Sequence, residues 1–150
     1  MKRIIALAAI ALMAAMSLKA QDDAALSFKD RRVQQRALAA GDANQDGILS
    51  KAEADSIKIL NMMAYRIDMF QVSSYEDFVN FPNLEKVHLG YSDLETVDLS
   101  RNPKLEEIVI GDSSLKTLIL AFGCNPKIIF PTLMEQLVIK RVACPGYIPW

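Results

Sequence analysis

The sequence predicts an α+β chain in which an N-terminal helix–loop–helix caps a short solenoid of stacked parallel strands. Three observations carry this expectation. After Phe81 aliphatic residues recur with a fixed long period. Ahead of them, a glycine-hinged acidic loop separates two helix-forming stretches. Before both, the chain opens on a basic and then an apolar segment.

Residues 1–20 have the order of a secretory signal peptide. Met1-Lys2-Arg3 is basic, Ile4 to Met16 is apolar and uncharged, and Ala20 is a small residue at a plausible cleavage point. The apolar run is too short for a span of ~20 residues. The protein is therefore expected to be exported, to the periplasm, the cell surface or the medium, with no membrane span in the mature chain. The full chain carries a net charge of −1, and loss of Lys2, Arg3 and Lys19 leaves it more acidic. Mild acidity without a basic cluster argues against nucleic acid as a partner.

Residues 21–60 read as helix, loop, helix. Ala24 to Ala40 is rich in helix formers, with Phe28, Val33, Ala37 and Leu38 on roughly one face, and Gly41 ends it. The next twelve residues, Asp42 to Glu53, fit the pattern D-x-[DN]-x-[DN]-G-x₅-E. Calcium takes several hard oxygens at flexible distances. Asp42, Asn44 and Asp46 offer side-chain oxygens, Ile48 a carbonyl, Ser50 a water-mediated contact and Glu53 two oxygens from the exit helix. Gly47 permits the sharp turn. This loop resembles those of EF-hand proteins and of dockerin modules. The resemblance implies bound Ca²⁺ in a structural role, because no second loop of the pattern follows.

Residues 61–83 are a connecting segment and cap. Met62, Met63, Met69 and Phe70 are expected as core filler. Tyr75, Phe78, Phe81 and Leu84 recur every third residue, which suits a helical turn.

Residues 84–123 are periodic. Leu84, Val87 and Leu89 are followed by Leu94, Val97 and Leu99, then Leu105, Ile108 and Ile110, then Leu115, Leu118 and Leu120. The steps are ten, eleven and ten residues, so two steps fall at ~21, within the range of a repeat coil. Each short strand would turn alternate side chains inward, and stacked coils would bury what one coil cannot. The pattern resembles the 21-residue repeats of secreted bacterial leucine-rich-repeat proteins, whose half-coils often end L-D-L-S-x-N. Val97-Asp98-Leu99-Ser100-Arg101-Asn102 matches that ending. The resemblance implies a leucine-rich-repeat solenoid acting as a secreted binding module, its calcium loop a structural clip. The alternative is a dockerin-like assembly component that docks through that loop.

Residues 124–150 are a degenerate repeat and C-terminal cap. Cys124 and Cys144 are an even pair in an exported chain, which predicts a disulfide worth about 3 kcal/mol. Outward strand positions Lys86, His88, Thr96, Asp98, Glu107 and Thr117 are candidate binding-surface residues. The expected partner is a protein or glycan at the cell surface. No catalytic residue is assigned, and an enzyme is not expected. His88 is the one histidine and has no patterned Ser, Cys or acid partner, and Glu106-Glu107 point to opposite faces of a strand.

Overall fold

Alternation within each short apolar run decides the strands. The computed structural model describes residues 24–63, 71–90, 92–111, 114–130 and 137–143. In chain order these form helix α1 (Arg31–Gly41), helix α2 (Lys51–Ser56), strand β1 (Ile59–Asn61), a 3₁₀ helix (Glu76–Asn80), and strands β2 (Lys86–Leu89), β3 (Thr96–Leu99), β4 (Glu107–Ile110), β5 (Thr117–Ala121), β6 (Lys127–Ile129) and β7 (Val138–Val142). One sheet has the order β1-β2-β4-β6 and the other β3-β5-β7, every pairing parallel. From β2 onward, successive strands alternate between the two sheets.

Register aligns the inward residues in rows. Leu60, Val87, Ile108 and the half-buried Ile128 are neighbours across the first sheet, and Val97, Leu118 and, at the exposed edge strand, Ile139 across the second. Leu89 sits beside Ile110, and Leu99 beside Leu120. From Leu60 to Leu120 these side chains are almost wholly buried and belong to one core cluster shared by both sheets. Fully burying one aliphatic side chain contributes about 1.5–3 kcal/mol. A four-residue strand places only two side chains inward, so neither sheet can be stable without the other.

The expected leucine-rich-repeat solenoid is corrected here. The chain builds a compact two-sheet α/β domain, four strands facing three with two helices, and not a curved solenoid. The physical reason is the symmetry of the two sides. A stack curves when one side of each coil is wider than the other. Here both sides are β-strands, which space at ~4.8 Å wherever they pair, so nothing wedges the layers apart. No helix among the described residues is long and apolar enough to cross a membrane.

The N-terminal helix is shorter than the composition predicts. It begins at Arg31, because Asp30 is its cap and accepts hydrogen bonds from the Arg32 and Val33 amides. Residues 24–30 run extended instead, with Ala25 bridging antiparallel to Ser50. Two buried carboxylates hold this segment down. Asp77 accepts from the amides of Lys29 and Asp30 at 2.8–3.0 Å. The second oxygen of Asp30 accepts from the Ser73 amide and hydroxyl, both at 2.7 Å, and from the Ser74 amide at 3.3 Å.

The three-residue spacing of Tyr75, Phe78 and Phe81 is that of a 3₁₀ turn, whose i and i+3 side chains eclipse. Tyr75 and Phe78 rings lie 5.1 Å apart, and Phe78 meets Phe81 edge-on at 6.2 Å. The fully buried Asn102 donates to the Phe78 and Phe81 carbonyls, satisfying the end of this turn from a distant loop. Met62 is buried core, as expected, and Met63 half-buried. Met69 and Phe70 lie outside the described residues.

Two predictions follow from this packing. A Cβ at Gly90 would stand 2.1 Å from the Met62 carbonyl oxygen, a backbone atom that a rotamer change cannot move. At Gly111 the nearest atom would be the Leu89 carbonyl oxygen at 3.1 Å. Gly90→Ala should therefore cost about 2 kcal/mol in denaturant unfolding, within the range for overpacking, and Gly111→Ala clearly less. The second concerns acid. Burial acts to raise the Asp30 carboxyl, but the Ser73 hydroxyl and amide, with the Arg32 and Val33 amides, outweigh it and hold the group below its ordinary value. A carboxyl lowered on folding stabilises above its unfolded pKa and loses that contribution as pH falls through the folded one. Stability should drop as pH falls below ~4, and Asp30→Asn should flatten that slope in urea titrations run across the acid range.

Candidate functional site

The acidic loop between α1 and α2 is closed by its own amides. Asp42 accepts from the Asp46 amide at 3.2 Å and the Gly47 amide at 3.0 Å. Asn44 Oδ1 accepts from the Asp46 amide, and Asp46 accepts from the Ile48 amide and the Asn44 side-chain amide. These are the turns in which Asx side chains bond the backbone two residues on. Gly47 has φ +77°, in the left-handed region its position requires. Glu53 forms a capping box with Ser50: one oxygen takes the Ser50 amide and hydroxyl, and the other the Ala43 amide. The Ser50 amide and hydroxyl, ahead of the other loop amides, hold the Glu53 carboxyl below its usual range.

The calcium assignment to Asp42, Asn44, Asp46, Ile48, Ser50 and Glu53 is corrected by this geometry. Among the described residues, no group of three or more His, Cys, Asp and Glu side chains gathers to hold a metal ion. The pattern that resembles an EF-hand also describes a turn whose acids are needed as backbone acceptors, and these acids serve that purpose. Neither the structural Ca²⁺ clip nor the dockerin-like docking loop stands. As a check, Glu53→Ala should lower the melting temperature by a few degrees by freeing the Ala43 and Ser50 amides. Lys51→Ala, which loses only an exposed pair with Asp55, should leave the melting temperature unchanged.

The six binding-surface candidates do not share a face. Lys86, His88 and Glu107 lie on the four-stranded sheet, where Lys86, Glu107 and Lys127 form one cross-strand row and His88 neighbours Val109. Thr96, Asp98 and Thr117 lie on the three-stranded sheet, with Thr96 beside Thr117. Cys124 is a free thiol, buried against the Leu105 carbonyl, and burial pushes its pKa up. Its expected partner Cys144 lies outside the described residues.

One concavity brings part of the second group together with residues from elsewhere. Ser73 to Glu76 form one wall and Leu94 with Thr96 to Asp98 the other, around a cleft of about 240 Å³. Each wall is fixed by hydrogen bonds. Ser73 donates its hydroxyl to Asp30, and Ser74 accepts the Glu76 amide on its hydroxyl oxygen at 3.1 Å. Glu76 is ion-paired with Lys29. Asp98 accepts the Ser100 amide at 2.8 Å on one oxygen. Tyr75 is 4% exposed, and its hydroxyl lies inside the fold beside Gly90 and Ser92, which do not line the cleft. Burial is the main reason that its pKa is pushed up to about 12; the nearby Gly90 amide and Ser92 hydroxyl act weakly the other way.

The chain matches no protein-family model, no curated protein and no solved structure. The resemblance to secreted leucine-rich-repeat proteins with a calcium loop is therefore carried neither by the fold nor by any relative. Of the cleft, the outward-position argument reaches only Thr96 and Asp98. Ser73, Ser74, Tyr75 and Glu76 carry no sequence pattern that marks them as a site. The one available signal was Asp30, a capping residue ahead of α1, whose second oxygen places Ser73.

Proposed function

We propose that this protein is an exported, non-catalytic recognition domain that engages a protein or glycan at the cell surface through the cleft between residues 73–76 and strand β3. The observation that carries this reading is the cleft's lining: fixed polar groups without a reactive pair. Among the described residues, its side chains include no histidine, cysteine or lysine to activate a nucleophile. The Ser73 hydroxyl is bound to Asp30, and His88 lies on the other sheet. Preformed polar groups beside apolar surface are what a binding site requires. Export rests on the basic start at Lys2-Arg3 and the apolar run Ile4 to Met16. The formal charge of −1 offers no electrostatic footprint for nucleic acid.

The test is retention of the labelled protein on intact cells of its source. Thr96→Arg fills the cleft from an exposed strand position. It should cut retention at least tenfold, or about 1.4 kcal/mol. Lys86→Ala, on the other sheet, should retain like the parent. Equal behaviour of the two variants would remove the cleft from the function, and turnover of a bound ligand by the parent would show an enzyme instead.

A further inference from the structure

We propose that the cleft takes a single sugar residue, either a free monosaccharide or the terminal residue of a glycan. This rests on reading the cleft as the recognition site and names the chemistry that it selects. Charge excludes one class at once. Among the described residues, the side chains lining the cleft include two carboxylates, Glu76 and Asp98, and no cation. A phosphate, sulfate or carboxylate ligand would meet acceptors and repulsion.

A compact cation is the next candidate, and the partners already present weigh against it. Glu76 is neutralised by Lys29 from outside the cleft. Asp98 has given one oxygen to the Ser100 amide. What remains is one carboxylate, Asp98, with acceptor capacity and no paired cation, in a cleft whose other polar groups are hydroxyls. The rest of the lining is made of hydroxyls and apolar groups. Thr96 is exposed on the strand face. Ser74 uses its oxygen to accept the Glu76 amide, which leaves its O–H to donate. Ser73 donates to Asp30, which leaves its oxygen to accept.

Such a set suits a neutral ligand that both donates and accepts at several points. Vicinal hydroxyls of a pyranose meet a carboxylate with two donors and take up hydroxyl donors on their own oxygens. Leu94, half-buried at the cleft wall, supplies apolar surface for the C–H face of the ring. Size limits the ligand to one ring, because a cleft of about 240 Å³ lies below the 300–1,000 Å³ typical of drug-sized pockets.

Amide-resolved NMR titration of the full chain decides the matter. The probes are the free sugars and methyl glycosides of glucose, galactose, mannose and N-acetylglucosamine, with lysine amide and inorganic phosphate as opposing chemistries. At least one sugar should shift the amides of residues 73–76 and 94–98 at millimolar concentration. Thr96→Arg and Asp98→Asn should each weaken that binding tenfold or more. Asp98→Asn retains an acceptor for the Ser100 amide, so it separates lost recognition from lost folding. Tighter binding of the methyl glycoside than of the free sugar marks a glycan terminus as the source, and the reverse marks a free monosaccharide. Shifts with lysine amide alone would overturn the sugar assignment and leave a recognition cleft of cationic preference. No shift with any probe also overturns it, and the recognition reading then falls only if Thr96→Arg keeps full retention on cells.

Discussion

A four-residue strand can turn only two side chains toward a core, and this limit governs the whole domain. Val87 and Leu89 from β2, or Val97 and Leu99 from β3, bury too little alone to offset the entropy of ordering their strands. Stability comes from adding strands in register, so that Val87 meets Ile108 and then Ile128 while Val97 meets Leu118 and then Ile139 on the facing sheet. The connections must therefore cross the core edge at every step. That explains the buried leucines ahead of the strands, Leu84, Leu105 and Leu115, which seal those crossings. It also explains Gly90, which follows β2 where the Met62 backbone passes too close for a side chain, and Gly111, which follows β4 where the Leu89 carbonyl makes a tight approach.

Backbone amides left over by these turns are the second constraint, and carboxylates meet it repeatedly. Asp30 caps α1 and reaches Ser73 and Ser74; Asp77 takes the Lys29 and Asp30 amides; Glu53 closes the capping box of α2; Asp98 takes the Ser100 amide. Buried acids are tolerated at Asp30 and Asp77 because each accepts several backbone amides, so neither carboxylate is left without partners. An acid placed at a turn is thus ambiguous. Its oxygens bind a cation in one protein and hold a loop in another, and the spacing of Asp42, Asn44, Asp46 and Glu53 does not distinguish the two uses.

This ambiguity sets what could be read from the residues. The strands were legible because alternation over Leu84 to Leu120 is a local pattern with a direct physical cause. Their arrangement was less so. The same period serves a curved coil or two facing sheets, and the choice depends on the relative width of the two sides. The start of α1 was misplaced because the helix-forming composition of residues 24–29 says nothing of Asp77, 47 residues from Asp30 along the chain, whose oxygens hold that segment extended. The cleft was legible only at Thr96 and Asp98. Its other wall enters through contacts that join residues 73–74 to residue 30, and no local pattern records a contact of that separation.

The clip and the cleft are consequently one mechanical unit. Ser73 and Ser74 stand where they do because Asp30 holds both their amides, and Asp30 is held in turn by the start of α1 and by Asp77. The opposite wall depends on β3, which pairs only with β5 in its sheet. A ligand seated between the walls would bridge the N-terminal helix region to the three-stranded sheet, two parts otherwise joined through the shared core and the 3₁₀ turn. Occupancy of the cleft would be coupled to stability by that geometry. Protonating Asp30 removes charge from the acceptor of the Ser73 and Ser74 amides, so the wall that carries Ser74 and Glu76 is the part of the structure this carboxyl's titration acts on first.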